Sequence, residues 1–403
     1  MAASAGKGMA RLEQAKAPMG ALLIALVCAA PLAAAPFVPT DDSQVLERLP
    51  EKLDRSLAEL KRLRGALAQR PDDLALATKL ARRSIEAARE AGDPRFLGQA
   101  QAALAPWWSL PEPPPAALLL RATVKQSTHD FAGSLADLDR LIALRPADGQ
   151  ALLTRATVLT VQGRYGEARA DCARIARLTL PLVTTACAAA PASLSGEAEP
   201  AYRSLALALA RQPDADAALR EWALTLSAEI AWRRGDQAAA DAQFRDALAL
   251  DARDPYLLAA YSDFLLEHGR AAEVIALVKD YGRNDSLLLR LALAEARLPE
   301  MHAAYEAHRA DLAARFDAAR RRGDSLHRRE EARYTLAIAG DTRAALELAR
   351  ANWQVQKEPA DLRILIEAAL AARDARTLEE ARAWVASQKL EDAALTALLD
   401  VKA

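Results

Sequence analysis

The sequence predicts an all-α protein, an α-solenoid of stacked antiparallel helix pairs. Three observations predict it. Four short segments are variants of one turn: Thr128-His129-Asp130-Phe131, Gln162-Gly163-Arg164-Tyr165, Arg234-Gly235-Asp236-Gln237 and Ala339-Gly340-Asp341-Thr342. Each lies between two amphipathic stretches. Hydrophobic residues make up 52% of the chain but aromatics only 5%, so Ala and Leu, both strong helix formers, carry the apolar content. The turns also fall in a common register. A unit that recurs in this way cannot bury its apolar face alone, so copies must stack on one another.

At the N-terminus, Lys7, Arg11 and Lys16 precede an uncharged run from Ala17 to Thr40 centred on Leu22-Leu23-Ile24-Ala25-Leu26-Val27, with Ala33-Ala34-Ala35 after it. A positive start, a short apolar core and an Ala-rich end are the parts of a secretory signal peptide, expected over residues 1–35. Pro31 and Pro36 interrupt the run, which makes it a poor membrane span. A retained inner-membrane anchor is the alternative, and it is the only membrane contact the sequence implies. Cys28 lacks the small residue before it that a lipoprotein signal needs.

Residues 36–105 read as divergent N-terminal helices. Leu53, Leu57, Leu60, Leu63 and Leu67 keep helical spacing, Pro71 stops that helix, and Asp72 or Asp73 caps the next. Gly92-Asp93-Pro94 turns the chain into a further helix ending near Leu104. Residues 106–114 (Pro106-Trp107-Trp108-Ser109-Leu110-Pro111-Glu112-Pro113-Pro114) then read as an extended connector, because so many prolines exclude helix. Trp107 and Trp108 either pack down to anchor it or offer a ligand contact.

From Pro115 the register is regular. Pro115 to Asp148 forms a 34-residue unit with Ala122, the His129-Asp130 turn, Leu138, Leu141 and Pro146, and a second unit follows with Ala156, Gly163, Tyr165, Ala168 and Cys172. A looser and slightly short unit turns at Gly196 and ends at Pro213, and Glu221 to Asp254 returns to form with Ala228, Gly235, Ala240, Phe244 and Ala247. Pro255 to Gly282, Ser286 to Arg320, Leu326 to Lys357 and Ala360 to Gln388 continue the array, expected over residues 115–388 with a capping helix in 389–403. Small residues such as Ala122, Ala156 and Ala228 belong where helices cross closely. Gly163, Gly235, Gly269 and Gly340 belong at first-helix exits, where a positive φ suits a residue without Cβ.

The Gly163-Arg164-Tyr165…Ala168 and Gly235-Asp236…Ala240…Phe244…Ala247 series, with Pro146 and Pro213 at unit ends, resembles the tetratricopeptide repeat (TPR). The resemblance covers most of the chain after Pro115. It implies a right-handed superhelix whose inner groove is lined by the first helix of each pair, and a protein or peptide partner. Arg121 and Lys125 depart from it, standing where the family is usually apolar.

Composition and motifs narrow the function. The formal charge is −1, from 53 basic and 54 acidic residues without a long block of either sign. That argues against nucleic-acid binding, which needs a concentrated basic face, and against a charged interaction tail. No Gly-x-Ser-x-Gly, phosphate-cradling Gly-rich loop or His-Glu-x-x-His occurs, so no enzyme and no cofactor is expected. The pairs Asp41-Asp42 and Asp72-Asp73 stand at helix starts, where negative charge suits the helix dipole. His302 and His308 are six apart, the wrong spacing for one helix face. His327, Glu330 and Glu331 read in two ways, as part of a metal site supporting a hydrolytic or metal-dependent enzyme, or as a salt-bridged helix start.

Cys172 falls on a second helix and Cys187 on the first helix of the next unit, so a disulfide between them is expected in an exported protein; two buried thiols are the alternative. First-helix positions facing the groove are Gln150, Leu153, Thr157, Trp222, Glu229, Trp232, Arg233, Tyr256, Asp263, Arg290, His327, Glu330 and Tyr334. Aromatic rings beside a few charges are typical of recognition sites, although Trp222 and Trp232 fit packing between helices equally well. The expected function is an exported scaffold that binds a protein or peptide in its concave groove and supports an envelope protein. Self-association into a structural array is a further alternative.

Overall fold

The computed structural model describes residues 41, 43–44, 51–323 and 327–401; the expected signal peptide lies outside them. From residue 51 onward the described chain belongs to one compact unit, entirely helical. Helices α1 (Glu51–Gln69), α2 (Leu74–Ala91) and α3 (Arg95–Ala103) form the N-terminal layer, with Asp73 capping α2 through the Leu76 amide. Eight antiparallel pairs follow: α5/α6 (Pro115–Ser127, Phe131–Leu144), α7/α8 (Gly149–Val161, Tyr165–Ile175), α9/α10 (Pro181–Ser193, Ala198–Arg211), α11/α12 (Ala217–Arg233, Gln237–Leu250), α13/α14 (Pro255–Glu267, Ala271–Val278), α15/α16 (Asp285–Glu295, His302–Arg321), α17/α18 (Arg328–Ala337, Thr342–Trp353) and α19/α20 (Pro359–Ala371, Ala375–Gln388). Helix α21 (Ala393–Asp400) closes the array.

One expectation fails in the connector. Ala105–Trp108 forms a short helix, α4, before the chain becomes irregular. Pro106 sits in the first turn, where no backbone donor is required, so proline there does not exclude helix. Trp107 and Trp108 pack against the N-terminal core formed by α1, α2, α3 and α5.

The repeat register explains the core. Ala122, Ala156 and Ala228 are buried at the helix crossings, as are Ala168, Ala240 and Ala247 on second helices. The sequence exceptions Arg121 and Lys125 are paired: Arg121 Nε and Nη2 donate to Asp137 at 2.8 and 2.6 Å, and Lys125 Nζ lies 2.9 Å from the same carboxylate. One repeat later Arg155 grips Asp171 the same way, at 2.7 Å through both nitrogens. Cys172 and Cys187 form the expected disulfide, joining α8 to α9 with 5.6 Å between Cα atoms.

The turn positions do more than reverse the chain. Gly163 has φ +73°, and the equivalent residue His129 adopts φ +60° despite its side chain. The C-terminal segment runs back over successive turns. Gln356 Nε2 lies 3.2 Å from His129 Nε2, and the Lys357 amide donates to the Val161 carbonyl at 2.7 Å. Trp384 covers Gly163, and Lys389 packs on Gly196. The Ala198 amide donates to Glu391 at 3.4 Å, while Ala393 stands against Gly235. Tyr165 and Leu194 are accordingly part of the same hydrophobic cluster as α18 to α21. The array therefore curls until its end meets the turn edge of its earlier pairs.

Candidate functional site

The curled array encloses a cavity of about 570 Å³, lined mainly by first helices α11, α13, α15, α17 and α19, with α7, α9 and α21 at its margins. That size is within the ordinary range for a ligand site. Seven carboxylates and six guanidiniums face it, with no lysine or histidine, so its charge is nearly balanced and its cations are all arginines.

These charges fall into local groups. Asp263 on α13 receives Arg290 Nη2 at 2.6 Å and Arg333 Nη1 at 2.5 Å. Burial alone raises the Asp263 carboxyl, but the two guanidiniums outweigh it and hold the group at about 2. Arg290 uses its remaining nitrogens on the Ala259 and Ser286 carbonyls and the Ser286 hydroxyl, which makes it a brace between α13 and α15. Beside this group, Trp232 Nε1 donates to Glu267 at 3.0 Å, and Glu267 also pairs with Arg363. The Trp232 ring meets Phe264 edge-on at 5.8 Å, so this tryptophan both packs between helices and lines the cavity.

At the other side, Arg329 lies 3.1 Å from Glu358, 3.5 Å from Asp361 and 3.7 Å from Glu330. Asp361 is buried in the first turn of α19, where Asn352 Nδ2 donates to it at 2.7 Å; burial raises its carboxyl to about 6. Glu229 on α11 accepts the Tyr256 hydroxyl at 2.8 Å, and no Lys or Arg among the described residues forms an ion pair with it. Burial raises the Glu229 carboxyl above its ordinary value, and the Tyr256 hydroxyl is raised by burial and by the adjacent Glu229. Tyr256 keeps 57% of its surface accessible although protein surrounds it, as expected of a ring on a cavity wall.

Seven of the groove positions chosen from the sequence line this cavity: Glu229, Trp232, Arg233, Tyr256, Asp263, Arg290 and Glu330. Five do not. Gln150 and Thr157 are exposed on α7 and bond within their own helix. Trp222 packs against the main core, as does Leu153 against the core around the disulfide. Tyr334 is buried against Phe316, with ring centroids 5.2 Å apart, because α16 is long enough to cover that face of α17. His327 occupies the N-cap position of α17. Glu330 and Glu331 have different surroundings: Glu331 accepts from Arg320 at 2.8 Å, while Glu330 lies beside Arg329 at the cavity. Among the described residues no group of three or more potential metal ligands is assembled.

Sequence projection missed Glu267, Arg297, Arg329, Arg333, Glu358, Arg363, Glu367 and Asp392. Arg363 and Glu367 are four apart on a first helix, so extending the same stripe into α19 finds them. Glu358 and Asp392 lie before α19 and α21, and only the return of the C-terminal segment brings them to the wall.

Fold and cavity together define a helical-repeat protein, an α-solenoid of TPR-like pairs. No protein-family model matches the sequence, and no curated protein matches it. Among solved structures, a tetratricopeptide repeat protein from Parabacteroides merdae is similar at 17% identity, covering 60% of this chain and 93% of that one with a TM-score of 0.44. The human IFIT1 dimer with m7Gppp-AAAA is similar at 13% identity over 86% of this chain and 85% of that one, with a TM-score of 0.38. The P58(IPK) TPR domain is similar at 15% identity over 81% and 99%, with a TM-score of 0.19. The helix pairs themselves establish the fold.

Proposed function

We propose that this chain is a non-enzymatic, exported scaffold that binds a protein or peptide segment on its concave face and so supports the assembly or function of an envelope protein. The observation that carries this reading is the cavity wall, where Trp232 and Tyr256 stand among paired charges on successive first helices. Rigid aromatic anchors supply contact area, and charges already held by partners supply selectivity at small ordering cost. Export is supported by the signal-like N-terminus and by the Cys172–Cys187 disulfide, which belongs to an oxidising compartment. No helix among the described residues is long and apolar enough to cross a membrane.

The test places a photo-crosslinking amino acid at Tyr256 and, in a control, at the exposed Arg343 on α18. The reading expects one discrete crosslinked partner from Tyr256 in the native cell fraction and none from Arg343. Equal labelling from both positions, or none from Tyr256, contradicts it. N-terminal sequencing of the protein from that fraction tests export, which predicts loss of the first 35 or so residues; an intact Met1 contradicts cleavage.

A further inference from the structure

We propose that the cavity recognises a cationic side chain, the ammonium of a lysine or the guanidinium of an arginine in an extended peptide, through the Glu229 carboxylate flanked by Tyr256 and Trp232. This assignment deepens the concave-face reading and rests on it. Glu229 is a carboxylate on the cavity wall whose one hydrogen-bond donor among the described residues is the neutral Tyr256 hydroxyl. A charge held in this way lacks the counter-ion that buried carboxylates normally have. Its neighbours on the wall supply aromatic faces, because Trp232 is three residues on along α11 and Tyr256 projects from α13. A cation above such rings gains quadrupole attraction in addition to its ion pair.

The two arginines whose charge reaches Glu229 each have other partners. Arg329 stands among Glu330, Glu358 and Asp361, three carboxylates for one guanidinium. Arg233, one turn further along α11, gives Nη2 to the Ser193 hydroxyl at 3.0 Å and acts on Glu229 from beyond ion-pair distance. Glu229 itself forms no ion pair among the described residues, so an entering cation meets its carboxylate without displacing an existing pair. An anionic or purely apolar side chain at the same point leaves Glu229 uncompensated.

Isothermal titration of the full folded protein with four blocked pentapeptides tests this. Each is built of glycine and serine around one central lysine, arginine, norleucine or glutamate. The lysine and arginine peptides are expected to bind at least about tenfold tighter than the other two, a difference of about 1.4 kcal/mol. Glu229→Gln, which keeps the shape and the acceptor oxygen, is expected to erase that preference while its helical signal and melting match the parent. Equal affinity for norleucine and lysine, an unaltered preference in Glu229→Gln, or no binding by any peptide overturns the assignment. A Tyr256 crosslink formed by a protein without the lysine preference leaves the concave-face reading standing and rejects the cation alone.

Discussion

Replacing Gly163 by alanine tests the closure of the array at a single atom. A Cβ there would stand 2.5 and 2.7 Å from ring carbons of Trp384 and 3.3 Å from the Lys357 Cβ, all contributed by the returning C-terminal segment. Trp384 has little room to retreat, since it meets Trp353 edge-on at 5.4 Å and Lys357 Nζ lies 5.6 Å from its ring centre. Gly269 is the matched control, with φ +72° against +73° but open space around its Cβ position. Both substitutions incur the left-handed backbone cost of about 1–2 kcal/mol. Gly163→Ala adds an overpacking cost of about 1–3 kcal/mol, because Trp384 must shift. Urea unfolding of the two variants should therefore differ by about 1–3 kcal/mol, with Gly163→Ala the less stable. Trp384→Ala in the Gly163→Ala background should remove the excess, since the two residues share one contact. Equal losses in the two alanine variants, or an excess that survives Trp384→Ala, refute the reasoning.

Two further outcomes follow from buried charge. Glu221 is held at about 7, raised mainly by burial against the hydrogen bond from Thr225. Its folded-state value exceeds the unfolded one, so stability is full below about pH 4.5 and falls as pH rises towards about 7, where the unfolded chain ionises first. After allowance for solvent screening at this half-buried site, Glu221→Gln should gain about 1 kcal/mol at pH 8 and nothing at pH 4, as read by urea midpoints at the two pH values. Arg121→Met should cost about 3–5 kcal/mol in the same assay, because it strands Asp137 with Lys125 alone; adding Asp137→Leu should recover only part of that loss, since it removes the buried carboxylate but leaves Lys125 with the Gly133 carbonyl alone.

Local periodicity carried the helix pairs and failed wherever distant segments meet. The turns at Gly163 and Gly235, the crossing alanines and the Cys172–Cys187 contact were legible because each depends on residues within one or two units. The Arg121–Asp137 and Arg155–Asp171 pairs left a signal, since each partner recurs 34 positions later, but it was missed, and Arg121 read as an isolated departure from the repeat. Pro106 showed that proline density alone does not exclude a first helical turn. The contact of Trp384 with Gly163 spans more than 200 residues and leaves no spacing signal, so the closing of the array was not legible. For the same reason the cavity was legible on α11 and α13, where Glu229, Trp232, Tyr256 and Asp263 follow the inward stripe. It was lost at Tyr334, which α16 covers, and at Glu358 and Asp392, which only the returning segment places.

The central claim is that the helix pairs curl until α19 to α21 lie on the turn edge of α7 to α12, closing a cavity behind them. A pulsed electron-spin distance measurement between labels at Gly166 and Ser387 tests it most directly, because both residues are exposed beside the Gly163–Trp384 contact. An uncurled stack would separate these helices by six pair-to-pair steps of roughly 10 Å, or about 60 Å. The account predicts a single narrow distribution at less than half that separation, shifted outward in Gly163→Ala. A distribution centred near the full stacked length contradicts it.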